Sequence, residues 1–361
     1  MENINITIKT NICDTLFECI KQKQFDLLRL LCIIYYSKYK HDPTFLKIFN
    51  LSKNTEIKQL ENLVKPINIL ITGNWCSSKE LCNLWDKMSQ GNCKWNNIKL
   101  VTEEPADFYC IINKPNEGDI STLIDLSKTI LFRMEPHMEK DPEQWSLEWT
   151  NPKPDNLLFC GRHDLHFNNI EWHLSKTYNE LNAQNIDKDI QLNNILSTVL
   201  SNKYVDVGHQ KRVDFIKFLE TKDVNVDVFG GNRFNWKSYK GSLKSHEKDD
   251  ALFPYKYTFN CENHSIKNYC TEKLYDGILA ECLVFYSGCY NIRDIIDERA
   301  FVYLELSNFE KDYNTIIKAI QEDWWSIRIP YIRQEKKKIL NELQFFPRLE
   351  KIILDSENAL K

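Results

Sequence analysis

Apolar side chains return every three or four residues in the first part of the chain. Leu28 and Leu31 follow this spacing within residues 12–36, and a second stretch of the same kind covers residues 45–64. Such spacing places apolar side chains along one face of a helix. We therefore predict a helical extension over residues 1–64.

From residue 65 the pattern changes to short apolar runs between polar or helical stretches. These runs cover residues 67–72, 98–101, 108–112 and 129–134. Short runs rich in β-branched residues that alternate with helices are typical of a parallel α/β sheet. We predict a first Rossmann-like domain over residues 65–155.

A proline-rich segment at residues 151–155 separates this series from a second one. In the second series we predict extended runs at residues 203–207, 224–229, 255–261 and 283–286, with helices over 209–220 and from Thr271. This alternation predicts another Rossmann-like domain over residues 156–330, followed by a helical tail over 331–361. The predicted fold class is α/β, with two Rossmann-like domains, an N-terminal helical extension and C-terminal helices.

Charge and glycine content narrow the function. Lys and Arg total 47 against 51 Asp and Glu, a net charge of -4, which argues against a dedicated nucleic-acid binder. None of the 10 glycines lies in a GxGxxG or GxxxxGK[ST] pattern. A phosphate group, if one is bound, must be held without a glycine-rich loop.

The cysteines and the N-terminus indicate a reducing compartment. The 12 cysteines include no CxxC pair, so we expect reduced thiols and no zinc site. Residues 1–10 lack the basic and apolar regions of a signal peptide. Asp26 and Arg29 interrupt the most apolar stretch, residues 25–36, which is shorter than the roughly 20 residues of a membrane helix. We predict a cytoplasmic protein without a membrane span.

One short motif has the appearance of a metal site. Asp187-Lys188-Asp189 brings two carboxylates close together, but it lies in a polar stretch rich in Asn and Gln. We interpret it as a solvated linker and predict no bound metal.

The segment from Tyr255 to Lys273 is the strongest candidate for a binding site. It reads as a strand, a loop and the start of a helix, and ligands of open α/β sheets lie beyond the carboxyl ends of strands. Thr271 can cap the helix, whose free N–H groups, together with Lys273, suit a diphosphate. From spacing alone, an ordinary Thr-capped helix is the alternative interpretation.

Several short motifs in and around this segment belong together. They are Tyr255-Lys256-Tyr257, Cys261-Glu262-Asn263, Tyr269, Thr271-Glu272-Lys273 and Phe285-Tyr286-Ser287-Gly288. They resemble the donor-binding signature of the α-1,3-fucosyltransferases, glycosyltransferase family 10. The resemblance continues at Arg212, at 226–230 and at 132–136, and covers roughly residues 67–310.

The resemblance implies a GT-B fold, in which two Rossmann-like domains face a cleft. It further implies inverting transfer of L-fucose from GDP-fucose to a hydroxyl of a glycan or glycoconjugate, without a cofactor. Two alternatives are a transferase of the same fold that uses another nucleotide sugar, and a catalytically silent glycan- or nucleotide-binding module. The oligomeric state is left open.

The resemblance also implies roles for individual residues. Glu135 corresponds to the general base, and its alternative interpretation is a surface Glu before a proline turn. Arg212 and Lys273 correspond to diphosphate-binding positions, although a solvated helix residue is the alternative for Arg212. The rest of the implied donor set is Tyr257, Glu262, Asn263, Thr271 and Glu272.

A polar and aromatic cluster follows the central boundary. Arg162, His163 and Trp172 are the candidates for contact with the acceptor glycan. A packed loop with satisfied side chains is the alternative interpretation.

Overall fold

The protein is described here from a computed structural model. The structure describes residues 12–54, 57, 59–60, 66–116, 124–137, 149, 152–183, 185–186, 188, 195–222 and 224–359, with side chains up to Ser356. Contacts divide the chain into two compact units, residues 1–68 with 96–99, and residues 69–95 with 100–361.

The first unit is built from helices. They are α1 (Ile12–Lys21), α2 (Phe25–Tyr39) and α3 (Pro43–Lys53). Asp42 caps α3 by accepting a hydrogen bond from Phe45 N at 2.8 Å. Leu28, Phe45 and Ile48 are fully buried in the core between these helices. The helical spacing at residues 12–36 and 45–64 therefore corresponds to real helices in the described part.

The first sheet contains six described strands. They are β1 (Ile67–Gly73), β2 (Lys94–Trp95), β3 (Ile98–Val101), β4 (Phe108–Ile112), β5 (Thr129–Phe132) and β6 (Phe159–Gly161). Their order is β2-β3-β1-β4-β5-β6, and β1, β4, β5 and β6 run parallel. The sheet thus extends past the boundary predicted at residue 155. A helix, α4 (Ser78–Trp85), follows β1.

The second sheet has the strand order of a Rossmann fold. Its strands are β7 (Leu196–Leu200), β8 (Val226–Gly230), β9 (Tyr239–Gly241), β10 (Tyr257–Cys261), β11 (Leu283–Ser287) and β12 (Phe301–Tyr303). The order β12-β11-β10-β7-β8-β9 is parallel throughout, and it reverses direction between β7 and β10. Two Rossmann-like sheets confirm the predicted fold class.

Helices connect and cover these strands. They are α5 (Tyr178–Ala183), α6 (Val207–Thr221), α7 (Asp249–Leu252), α8 (Glu272–Leu279), α9 (Phe309–Gln321), α10 (Trp324–Lys338) and α11 (Phe345–Ala359). Among the described residues, no helix combines the length and apolar character that crossing a membrane requires.

The prediction of an extended run at residues 203–207 is wrong. That segment is a loop leading into α6, and the first strand of the second series is β7. Two residues of β7 are polar, so its sequence does not look like that of a buried strand. Ser197 and Thr198 are nevertheless buried. Their hydroxyls are satisfied because they donate to the carbonyls of Ala251 and Phe259, at 2.5 and 2.8 Å.

The last helix packs beside the first sheet. The ring centroid of Phe345 lies 4.7 Å from that of Trp85 and 5.9 Å from that of Phe132. Gln344 Nε2 also donates to the carbonyl of Met88 at 3.2 Å. By contrast, α10 packs against the second half, where Trp325 Nε1 donates to the carbonyl of Glu281 at 2.7 Å. The C-terminal helices therefore connect both halves.

Truncating Phe345 tests this arrangement. Phe345→Ala should lower the free energy of unfolding by about 3–5 kcal/mol, because it leaves a cavity between α11 and the first sheet. Chemical denaturation measures the change. Leu354→Ala, on the same helix but 37% exposed, is the control and should cost much less. Equal effects of the two substitutions would contradict the packing.

Candidate active site

Arg212 lies where the strand order of the second sheet reverses. Its guanidinium donates to Ser201 Oγ after β7 at 3.2 Å and to the carbonyl of Cys261 at the end of β10 at 3.0 Å. Ligands of Rossmann folds bind at this switch point. The side chain is only 5% exposed and its Nε has no hydrogen-bond partner in the described structure. Arg212 is therefore not a solvated helix residue.

Burial lowers the pKa of Arg212. A guanidinium stays charged in proteins, so the switch point carries a buried positive charge. Asn263 Oδ1 accepts a further hydrogen bond from the guanidinium at 3.0 Å. This contact orients both side chains at the carboxyl edge of the sheet.

The carboxylate of Glu262 is fully buried beside the start of α8. Thr271 donates to it twice, from N at 2.8 Å and from Oγ1 at 2.7 Å, and the hydroxyl of Tyr286 donates at 3.2 Å. Lys273 Nζ lies 3.4 Å from the same carboxylate. Glu262 thus holds the residues that begin α8, and its side chain has no exposed surface to offer a ligand.

The start of α8 has the predicted cap. Thr271 is the N-cap residue, and its hydroxyl accepts from Lys273 N. Lys273 Nζ donates to Thr271 Oγ1 at 3.0 Å and lies 3.3 Å from Glu272 Oε1. Although burial alone would lower it, the pKa of Lys273 is raised by Glu272 and Glu262. A permanent cation therefore stands beside the positive end of a helix dipole.

Gly208 brings α6 against the end of β10. Its N–H donates to the carbonyl of Asn263 at 3.0 Å. A Cβ at this position would lie 1.8 Å from the carbonyl oxygen of Glu262, so no other residue fits. The close approach is what allows Arg212, one turn further along α6, to reach both loops.

The structure contradicts the prediction that Tyr257 binds the donor. Tyr257 begins β10, at the edge of the sheet opposite to Cys261. It is 1% exposed, and its hydroxyl donates to the carbonyl of Ala319 at 3.0 Å and accepts from Trp325 N at 3.1 Å. Tyr257 is a core residue beneath α9 and α10.

Glu135 follows β5 in a loop that two asparagines hold. Asn113 Oδ1 accepts from Met134 N at 2.8 Å, and Asn168 Nδ2 donates to the carbonyl of Arg133 at 2.7 Å. The side chain of Glu135 is exposed. The first sheet therefore presents an exposed carboxylate at its carboxyl edge.

His163 connects the two halves near Glu135. Its carbonyl accepts from Asn268 Nδ2 at 2.8 Å, and its ring meets that of Tyr269 edge-on at 5.0 Å. Burial lowers the pKa of His163 to about 4, an effect that the main chain of Glu135 partly offsets. The imidazole is therefore neutral near neutral pH.

Tyr269 is a buried phenol whose ring contacts that of His163. Burial raises its pKa well above the ordinary value, and Glu262, Glu135 and Glu272 add to this effect. The charge of Glu135 in the first half therefore acts on the same phenol as the charges of Glu262 and Glu272. Hydrogen bonds and ion pairs thus join Lys273 to Glu262 and Glu272, and Arg212 to Asn263, whereas His163 contacts Asn268 and Tyr269.

Two of the acceptor candidates are structural. Arg162 is buried and its guanidinium contacts both carboxylate oxygens of Asp164, at 3.0 and 2.8 Å, and the carbonyl of Pro152. Trp172 is 1% exposed, and its Nε1 donates to the carbonyl of Lys176 at 3.2 Å. Both placements contradict an acceptor contact and agree with the alternative of a packed loop.

No group of three or more His, Cys, Asp or Glu side chains in the described part of the chain could hold a metal ion. Asp187 and Asp189 lie outside the described residues. The expectation that no metal is bound stays a prediction.

One segment of the chain matches a known family. Residues 193–323 match the model described as glycosyltransferase family 10 (fucosyltransferase), C-terminal. This segment is a family 10 glycosyltransferase domain. It contains β7 to α9, together with Arg212, Glu262 and Lys273. The prediction of the family, and of a glycosyltransferase, is confirmed.

Other comparisons are more distant. No curated protein sequence is similar enough to match the chain. A solved α1,3-fucosyltransferase with GDP has 16% identity and a TM-score of 0.41, covering 76% of this chain and 90% of that one. The same kind of enzyme with GDP-fucose has 16% identity and a TM-score of 0.39, covering 78% and 92%. TarM has 14% identity and a TM-score of 0.40, covering 83% and 56%.

Residues outside the motifs complete the family 10 domain. Ser201, Gly208 and Asn268 contact the site through hydrogen bonds or close backbone approach. Each is a common residue without a motif of its own. Tyr269 differs from these three residues because it belongs to one of the quoted motifs, although no role was assigned to it from the sequence.

Removing the buried carboxylate tests how the site is held. Glu262→Ala leaves the hydroxyl of Tyr286 and the N–H of Thr271 without their acceptor, and should lower the free energy of unfolding by about 2–4 kcal/mol. Denaturant titration measures it. Glu298→Ala, whose side chain is 69% exposed, should change it by less than about 0.5 kcal/mol. A value for Glu262→Ala as small as this control would refute the network.

Proposed function

We propose that the protein transfers L-fucose from GDP-fucose to a hydroxyl of a glycan or glycoconjugate, with inversion at the anomeric carbon. The observation that carries the proposal is the meeting of Arg212, Lys273 and the N-terminus of α8 at the switch point of a family 10 domain. Two cations and a helix N-terminus suit a diphosphate that must be bound without a glycine-rich loop.

In this proposal, charged side chains bind the diphosphate of the donor, and hydrogen-bond acceptors bind its sugar hydroxyls. Arg212 and Lys273 bind the diphosphate oxygens, and the first N–H groups of α8 add to the positive potential. Glu272 and Asn263, both half-buried at this edge, accept from hydroxyls of the ribose or fucose. Glu262 and Thr271 do not contact the donor but hold Lys273 in place through an ion pair and a hydrogen bond. No cofactor is required, because the protein's own cations serve the leaving group.

The transfer is a single displacement. The carboxylate of Glu135 takes the proton of the acceptor hydroxyl, whose oxygen attacks the anomeric carbon from the face opposite the diphosphate. The bond between that carbon and the diphosphate oxygen breaks, and GDP leaves with the electron pair. Arg212 and Lys273 stabilise the negative charge that develops on the leaving oxygen. His163, beside both Glu135 and Tyr269, keeps the base near the donor.

Two substitutions separate leaving-group stabilisation from proton removal. Lys273→Ala should reduce transfer at least about 100-fold and weaken GDP binding, because it removes a charge from the diphosphate. Glu135→Ala should reduce transfer about 100-fold or more and leave GDP affinity nearly unchanged. Steady-state kinetics and calorimetry with GDP measure both effects.

Lys318→Ala is the control for these variants. Its side chain is 62% exposed on α9, away from the switch point, and its loss should change neither quantity. Full transfer activity in either Lys273→Ala or Glu135→Ala would overturn the assigned roles.

The identity of the donor has its own test. GDP and GDP-fucose should raise the melting temperature, since a ligand that binds only the folded state stabilises it by about 2.7 kcal/mol at 100 times its Kd. UDP and UDP-sugars at equal concentration should not. A response selective for the UDP compounds would point instead to a transferase of the same fold with another donor.

A further inference from the structure

Glu272 has a second cationic partner that no motif contains. Lys248, which lies just before α7, places its Nζ 3.1 Å from Glu272 Oε1 and 2.7 Å from Asp276 Oδ2. Glu272 Oε1 also receives Lys273 Nζ at 3.3 Å. Two ammonium groups therefore meet at one carboxylate oxygen.

Lys248 is held in this position from several sides. Its backbone N–H donates to the carbonyl of His173 at 2.8 Å. The N–H of His173 donates in turn to Asp276 Oδ1 at 2.7 Å. The side chain of Lys248 is 17% exposed and that of Asp276 only 1%. The ammonium group is thus directed at Glu272 by the surrounding main chain.

Three cations and three carboxylates form the ion pairs and hydrogen bonds at this edge. Arg212, Lys273 and Lys248 are positive, whereas Glu262, Glu272 and Asp276 are negative. A diphosphate adds negative charge. Its binding therefore depends on how far the neighbouring carboxylates already neutralise the charge of the lysine ammonium groups.

Lys248 shares with Lys273 the task of neutralising the Glu272 carboxylate. Although burial would raise it, the pKa of Glu272 is held well below its ordinary value by Lys248 and Lys273. Without Lys248, the ionised Glu272 would keep its ion pair with Lys273 but lose the one with Lys248, and it would repel a diphosphate beside it.

We propose that Lys248 is a positioning residue of the donor site, which neutralises and orients Glu272 so that the charge of Lys273 remains available to the donor diphosphate. This inference rests on the proposed function. It assigns no contact between Lys248 and the donor itself.

The test is a double-mutant cycle read by calorimetry with GDP and with guanosine. Lys248→Met should weaken GDP binding at least about tenfold, because one partner of a desolvated charge pair is lost. Guanosine, which lacks the diphosphate, should bind nearly as before. Lys248→Arg should restore most of the GDP affinity. In the Glu272→Gln background, adding Lys248→Met should have little further effect, since the carboxylate that it neutralises is gone.

Controls separate this role from a structural one. Lys244→Met removes a lysine of the same loop whose side chain is 83% exposed, and should leave GDP affinity unchanged. If Lys248 only anchors α8 through Asp276, adding Asp276→Asn rather than Glu272→Gln would abolish the effect of Lys248→Met. Thermal unfolding of each variant shows whether it is folded.

Three outcomes distinguish the inference from the proposed function. Wild-type affinity for GDP in a folded Lys248→Met variant overturns the inference alone, as does equal weakening of GDP and guanosine. Failure of the wild-type protein to bind GDP overturns the proposed function and the inference together.

Discussion

The carboxyl edge of the second sheet depends on the hydrogen bonds and the ion pair of the buried Glu262 carboxylate. Glu262 directly follows β10, accepts from Tyr286 on β11 and holds Thr271 and Lys273 at the start of α8. A buried carboxylate is costly unless hydrogen bonds and opposite charges satisfy it, so these elements are stable only in this arrangement. Gly208 extends the constraint to α6, because only a residue without a side chain can approach the main chain of Glu262 so closely.

A second constraint joins the two halves. The segment after β6 carries His163 to the carboxyl edge, and α11 holds that segment in place. Arg348 donates to the carbonyl of Phe167 at 2.9 Å, and Phe345 N donates to the carbonyl of Ile170 at 2.9 Å. The last helix therefore supports the place where His163, Tyr269 and Glu135 meet. The proposed site, which combines Glu135 with residues of the second sheet, depends in this way on packing near the end of the described chain.

The shortage of glycine has a physical consequence. Proteins with glycine-rich loops bind phosphate mainly through backbone N–H groups, which carry no net charge. In the proposed donor site side-chain cations take that role, and buried cations need counter-charges before the donor binds. Glu262, Glu272 and Asp276 supply them. In the proposed site this arrangement stabilises the unliganded state and makes GDP binding sensitive to every member of the network, including Lys248, which lies outside the motifs.

The alternation of apolar runs and helices was sufficient to predict two Rossmann-like sheets, because burial on both faces of a parallel strand makes its sequence apolar. The cap at Thr271 and the cations Arg212 and Lys273 were likewise visible, since caps and motifs are local in sequence. Three features were not. The polar residues of β7 concealed a strand, the hydroxyl of Tyr257 and the indole of Trp172 find partners only in the folded core, and Lys248 reaches Glu272 across 24 residues. Local pattern determined the elements and the kind of chemistry, whereas tertiary packing decided which side chains are exposed and which charges meet, because burial and charge pairing depend on distances in space.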